Sequence, residues 1–226
     1  MTGRLVDFPV QNRRTSGYLA TPAIGKGPGL LVIQEWWGLV DHIKSVTDRF
    51  AAEGFVTLAP DLYHGESTTK PDEAGRKMMA LDIAGAAEDL RAAAEHVLSL
   101  DDTQPKRVAA LGFCMGGHLA LYGACAHPDK ISAAIDFYGI HPHVKIDPSK
   151  LGGPVLAHFG KTDEFVKEAD ATALVDKIRT AGKAVEAHFY DAGHAFFNDG
   201  RPDAYHKPSA EAAWLRTLSF LRSSLS

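Results

Sequence analysis

The sequence predicts an α/β protein built on a mostly parallel central sheet with helices on both faces. Short apolar runs alternate with stretches whose apolar residues recur every three or four positions, over most of the 226 residues. Such repeated alternation of strand and helix signals is the pattern of a parallel sheet buried by crossover helices. No low-complexity stretch, internal repeat or linker interrupts it, so residues 1–226 read as a single domain.

The elements follow in order. Gly25–Gly29 (GKGPG) is a turn leading into a buried strand at residues 30–33. Ile43, Val46, Phe50 and Ala51 have helical spacing. Residues 55–59 form a second strand, closed by Pro60-Asp61. Pro71 suits the first turn of a long helix that continues through Ile83, Ala87, Leu90, Ala94 and Val97. Residues 107–111 are a third strand and 115–126 the helix after it. Residues 131–137 and 154–159 are two more strands. A helix at 169–180 is stopped by Gly182. Residues 185–190 alternate as a strand does, and an amphipathic helix at 208–221 closes the chain.

Composition narrows the function classes. Hydrophobic residues make up 45% and charged residues 23%, as in an ordinary globular protein. The net charge is −4 with no basic run, which gives a nucleic-acid role little electrostatic support. No window reaches the roughly 18–20 apolar residues of a membrane helix, and the N-terminus lacks the apolar core of a secretory signal. Cys114 and Cys125, on one helix, would stand roughly 16 Å apart, too far for a disulfide. Free thiols and the absence of a signal point to the cytoplasm. The expected partner is a small molecule, with the chain a monomer or weak homodimer. His141-Pro142-His143 lacks a third ligand, so no metal is expected. No phosphate-cradling loop is present, since Gly25-Lys26-Gly27 is too short, and no cofactor is expected.

The sharpest local signal is Gly112-Phe113-Cys114-Met115-Gly116-Gly117, where a strand meets a helix. It has the form G-x-nucleophile-x-G with cysteine in the nucleophile position. Glycines at 112 and 116 permit the tight turn. The cysteine sulfur is thereby lifted to the first turn of a helix, whose dipole favours negative charge. The Met115 amide becomes a candidate half of an oxyanion hole. The competing reading is a small buried hydrophobe in a glycine-rich turn, which is also how Cys125 reads.

A cysteine nucleophile needs a base, and the base an orienting carboxylate. With strand-end loops searched in the order nucleophile, acid, histidine, Asp163 and His194 are the candidates, with Glu164 the rival acid.

These segments resemble the dienelactone hydrolase family, a single-domain branch of the α/β-hydrolase fold. The resemblance runs over nearly the whole chain and rests on Gln34-Glu35-Trp36-Trp37-Gly38, Ala59-Pro60-Asp61-Leu62-Tyr63, the cysteine elbow, and Ala192-Gly193-His194-Ala195-Phe196. It implies a Cys114, His194, Asp163 triad that cleaves a lactone or small carboxylic ester through a thioester, a carboxymethylenebutenolidase-like activity. It further implies that Glu35 contacts the resting thiol and swings away as substrate arrives, and that the Trp36 and Met115 amides hold the oxyanion. The family's substrate-clamping arginine, four residues after the histidine, is Asn198 here. Arg76 is a candidate for a second clamp. Trp37, Tyr63, His64, Tyr138 and Phe196 are further candidates for the pocket wall. Two other functions remain open: a thiol-based redox or electrophile-scavenging protein, and a non-catalytic small-molecule binder.

Overall fold

The computed structural model describes residues 3–23 and 25–226. Eight strands form one sheet: β1 (Arg4–Val10), β2 (Arg13–Ala20), β3 (Gly27–Ile33), β4 (Val56–Pro60), β5 (Thr103–Phe113), β6 (Ala133–Phe137), β7 (Val155–Gly160) and β8 (Val185–Tyr190). Their spatial order is β1-β2-β4-β3-β5-β6-β7-β8. From β4 to β8 every neighbouring pair is parallel, while β1 and β2 add an antiparallel edge.

Both faces are buried because successive side chains of each central strand point to opposite sides. Leu30 and Val32 of β3 join the cluster under helices α1 (Asp41–Ala52) and α6 (Lys207–Leu225). Leu31 and Ile33 face the other cluster, under α3 (Ile83–Ser99), α4 (Met115–Ala126) and α5 (Glu168–Thr180). This is why the strands read as unbroken apolar runs.

Two expectations need correction. The long helix predicted from Pro71 is two helices, α2 (Pro71–Ala80) and α3, separated by Leu81 and Asp82 in extended conformation. The β1–β2 hairpin was not foreseen. It turns at Gln11 with φ of 50°, and the dipeptide Gln11-Asn12 lacks the glycine that usually marks a two-residue hairpin loop.

Connectivity places the site. From β3 the chain crosses to β4 on one side, whereas β5 lies on β3's other side. A crevice opens where the winding reverses, at the carboxyl ends of β3 and β5. Glu35 follows β3 and Cys114 follows β5, so they flank that crevice.

Candidate active site

Cys114 is the residue between β5 and α4, with φ of 55° and ψ of −125°, a region that non-glycine residues rarely adopt. Its amide donates to the Phe137 carbonyl at 2.9 Å, and its carbonyl accepts from the Gly117 amide at 3.0 Å. The surrounding glycines are steric necessities. A Cβ on Gly112 would strike the Gly116 carbonyl, and one on Gly116 the Gln34 carbonyl. Met115 is the first residue of α4, so its amide has no carbonyl one turn back to bond.

Asp163 and His194 come from the loops after β7 and β8. His194 Nδ1 donates to Asp163 Oδ2 at 2.8 Å. Asp163 Oδ1 accepts from the amides of Phe165 and Val166 at 2.8 and 2.9 Å. Each oxygen of this buried carboxylate is therefore bonded. Glu164, the rival acid, is exposed. Burial pulls the His194 pKa down, but hydrogen bonds to Asp163 and Cys114 and the charges of both outweigh it and raise the imidazole to about 10.

Glu35 is buried, and its environment differs from the expectation of a thiol contact. Asn198 Nδ2 donates to Glu35 Oε2 at 2.8 Å, and Glu35 Oε1 has no hydrogen-bond partner among the described residues. Burial raises the Glu35 pKa, opposed by the charge of His194, the Asn198 hydrogen bond and the charge of Arg201. Asn198 Oδ1 accepts from the Gly200 amide at 3.0 Å. That side chain holds one oxygen of Glu35 and forms no part of the wall around the thiol.

Cys114, Glu35 and His194 line one cavity of about 360 Å³. Of the expected wall residues, Trp37 and Tyr138 line it, and so does Trp36, whose amide is the oxyanion-hole candidate. Tyr138 is fully buried, carries φ of 45°, and sets its ring edge-on to His194 at 5.1 Å, with its hydroxyl unpartnered among the described residues. Tyr63, Phe196 and Arg76 lie elsewhere. Tyr63 donates to Met115 Sδ at 3.4 Å from behind the elbow. Phe196 packs between the rings of Tyr138 and Tyr190. Arg76 is exposed on α2. His64 faces Asp89, 3.5 Å away, on the hairpin side.

Sequence reasoning missed Pro71, Met78, Ile140, Pro142, Phe165, Val166, Ala195 and Arg201, which complete the wall. Phe165 is 71% exposed, yet its ring lies 5.0 Å from that of His194, tilted by 53°. It also missed Asp136, fully buried at the end of β6, whose Oδ1 accepts from the Gly139 amide at 2.8 Å. A Cβ on Gly117 would strike this carboxyl, so Asp136 supports the start of α4. Burial raises its pKa well above the usual carboxylate range, opposed by the Gly139 amide. An acidic residue inside the apolar run AAIDF was the available signal.

His141 and His143 hold each other through a 3.1 Å amide-to-Nδ1 bond. Among the described residues no three His, Cys, Asp or Glu side chains gather as a metal would require.

Residues 15–225 match the model of the dienelactone hydrolase family. The chain belongs to that family. Among its relatives is "Protein usf" of Aquifex pyrophilus, 37% identical, covering 97% of this chain and 98% of the relative. Another is "Putative carboxymethylenebutenolidase" of Aquifex aeolicus, 34% identical over 99% of both chains. A crystal structure from Klebsiella pneumoniae, "Putative Dienelactone Hydrolase", superposes with a TM-score of 0.81 at 26% identity, covering 96% of this chain and 97% of that one. Membership in the dienelactone hydrolase family makes this chain a hydrolase of small-molecule esters or lactones. Among the described residues, no helix is long and apolar enough to cross a membrane.

Proposed function

We propose that the chain hydrolyses a carboxylic ester or lactone through a thioester on Cys114, with His194 as base and acid and Asp163 as its orienting partner. The observation that carries this reading is the 2.8 Å Asp163–His194 bond, with His194 and Cys114 lining one largely apolar cavity. With Nδ1 committed to Asp163, Nε2 is the nitrogen left to take the thiol proton. The thiolate forms an S–C bond to the carbonyl carbon, and the Trp36 and Met115 amides receive the charge on the oxygen. The C–O bond then breaks, and the leaving alkoxide takes the proton held by His194. Water, deprotonated by His194, attacks the thioester. The C–S bond breaks, the acid departs, and the proton returns to the Cys114–His194 pair.

Glu35 acts as an electrostatic neighbour in this scheme. A neutral Glu35 leaves the thiolate unopposed, whereas an ionised one repels it. The two free cysteines suit a reducing compartment such as the cytoplasm.

Replacing Cys114 by alanine tests the assignment. Turnover of an aryl acetate is expected to fall to background while the fold survives, and mass spectrometry of the parent chain should find an acyl group on Cys114. A fully active C114A variant refutes the nucleophile. Alkylation of Cys114 without any ester turnover favours the thiol-scavenging alternative.

A further inference from the structure

The two histidines that flank Pro142 have no part in the hydrolase scheme, yet one of them joins three segments around the site. Ile140 and Pro142 line the thiol cavity, whereas His141 between them is buried and is not part of that wall. The His141 amide donates to His118 Nδ1 at 2.8 Å, and His118 belongs to α4, the helix that begins just after Cys114. The His141 ring accepts at Nδ1 from the His143 amide, 3.1 Å away. A neutral imidazole that accepts at Nδ1 carries its proton on Nε2. Nε2 therefore donates to the Met78 carbonyl at 3.2 Å. Burial lowers the pKa of His141, and that of His118 to about 4, so both rings are neutral at neutral pH and each keeps the accepting nitrogen these bonds require.

Met78 lies in the last turn of α2, where carbonyls run out of helical amides. Of the ten residues of α2, Ala74 is the one that is buried. A helix with so little apolar burial owes its position to its ties. At its start, Thr68 Oγ1 donates to Glu73 Oε2 at 2.7 Å, a bond to the connection just before the helix. At its end, the His141 bond ties it to the loop after β6, 63 residues further along the chain. The Met78 side chain lines the thiol cavity together with Ile140 and Pro142. One imidazole thus fixes three apolar wall residues, from two segments, relative to the helix that carries the elbow.

We propose that His141 is a positioning residue that latches α2 to the loop after β6, and that this latch sets the length of acyl group accepted beside Cys114. The inference rests on the hydrolase reading above and adds to it the residue that governs acyl-length selectivity. With the latch in place, Met78, Ile140 and Pro142 form a fixed wall that favours a short acyl chain. Without it, α2 yields and a longer chain fits.

The 4-nitrophenyl esters of acetate, butyrate and hexanoate share a leaving group and differ only in the acyl chain, so they test the latch. In His141→Leu, which keeps buried volume but lacks both ring nitrogens, the ratio of kcat/KM for hexanoate to that for acetate is expected to rise roughly tenfold over the parent chain. His141→Ala should shift the ratio the same way. In His141→Gln, whose amide nitrogen can reach the Met78 carbonyl, the ratio should return toward the parent value. Hydrogen exchange of the α2 amides should quicken in the leucine variant and slow again in the glutamine variant, a readout that needs no turnover. Acetate turnover by each variant reports a folded chain with a working triad. An unchanged ratio, an equal loss on all three esters, or unchanged α2 exchange overturns the latch while leaving the hydrolase intact. No turnover of any of the three by the parent chain overturns the hydrolase reading and this inference with it.

Discussion

The loops after β7 and after β3 each bring a buried carboxylate toward the same thiol, yet they hold it in opposite ways. Asp163 has both oxygens occupied by two backbone amides and the His194 imidazole. Glu35 has one oxygen on Asn198 and the other without a partner among the described residues. Full hydrogen bonding favours a fixed anion; incomplete bonding in a dry site leaves a carboxyl whose protonation and position can change. A carboxylate that orients a base must not move, whereas one that modulates a thiol gains from being able to.

Removing the charge at the two sites should have unequal consequences. Asp163→Asn puts an amide donor where the imidazole donor or the two backbone amides point. Loss of the oriented tautomer should lower kcat for an aryl ester by about 10³–10⁴-fold. A stopped assay showing less than a tenfold loss would mean that His194 is oriented by something else.

Glu35→Gln should act through pH instead. The Glu35 pKa is raised, so at low pH the group is neutral and it becomes a second negative charge near the sulfur only as pH rises. In the parent chain the alkylation rate of Cys114 should therefore show a downward step as Glu35 ionises, of about tenfold if the coupling is near one pKa unit. The glutamine variant should lack that step. Identical profiles in the two chains would remove Glu35 from the thiol's electrostatics.

Asn198→Ala sharpens the comparison at the small end. It strands the second Glu35 oxygen as well, at an expected cost of about 1–3 kcal/mol in denaturant unfolding. Because the Asn198 bond lowers the Glu35 pKa, its loss should also move the alkylation step to higher pH. A step that stays put would show that the bond does not influence the Glu35 charge.

The fold class was legible because the central strands are apolar on both sides and the helices have clear spacing. The edge was not: β1 mixes charged residues with Phe8 and Val10, as a strand paired on one side only permits. The break between α2 and α3 falls at Leu81-Asp82, with neither proline nor glycine to mark it. At the site, Cys114, Asp163 and His194 were found because each follows a recognisable strand. The cavity wall was less visible. Met78, Ile140, Phe165 and Arg201 come from four segments with no shared pattern, and only the folded chain brings them together. Asn198 was read as facing substrate where an arginine would have stood, whereas its amide faces inward to Glu35.

The left-handed backbone at position 114 limits which side chains that position can carry. With φ of 55°, a branch at Cβ would be badly accommodated, so threonine and valine are disfavoured there. Serine differs from cysteine by one atom and asks nothing new of the turn. Exchange between sulfur and oxygen chemistry at this elbow is thus a single-codon matter for the backbone, and the decisive barrier to it lies in how well the neighbouring imidazole can activate a hydroxyl.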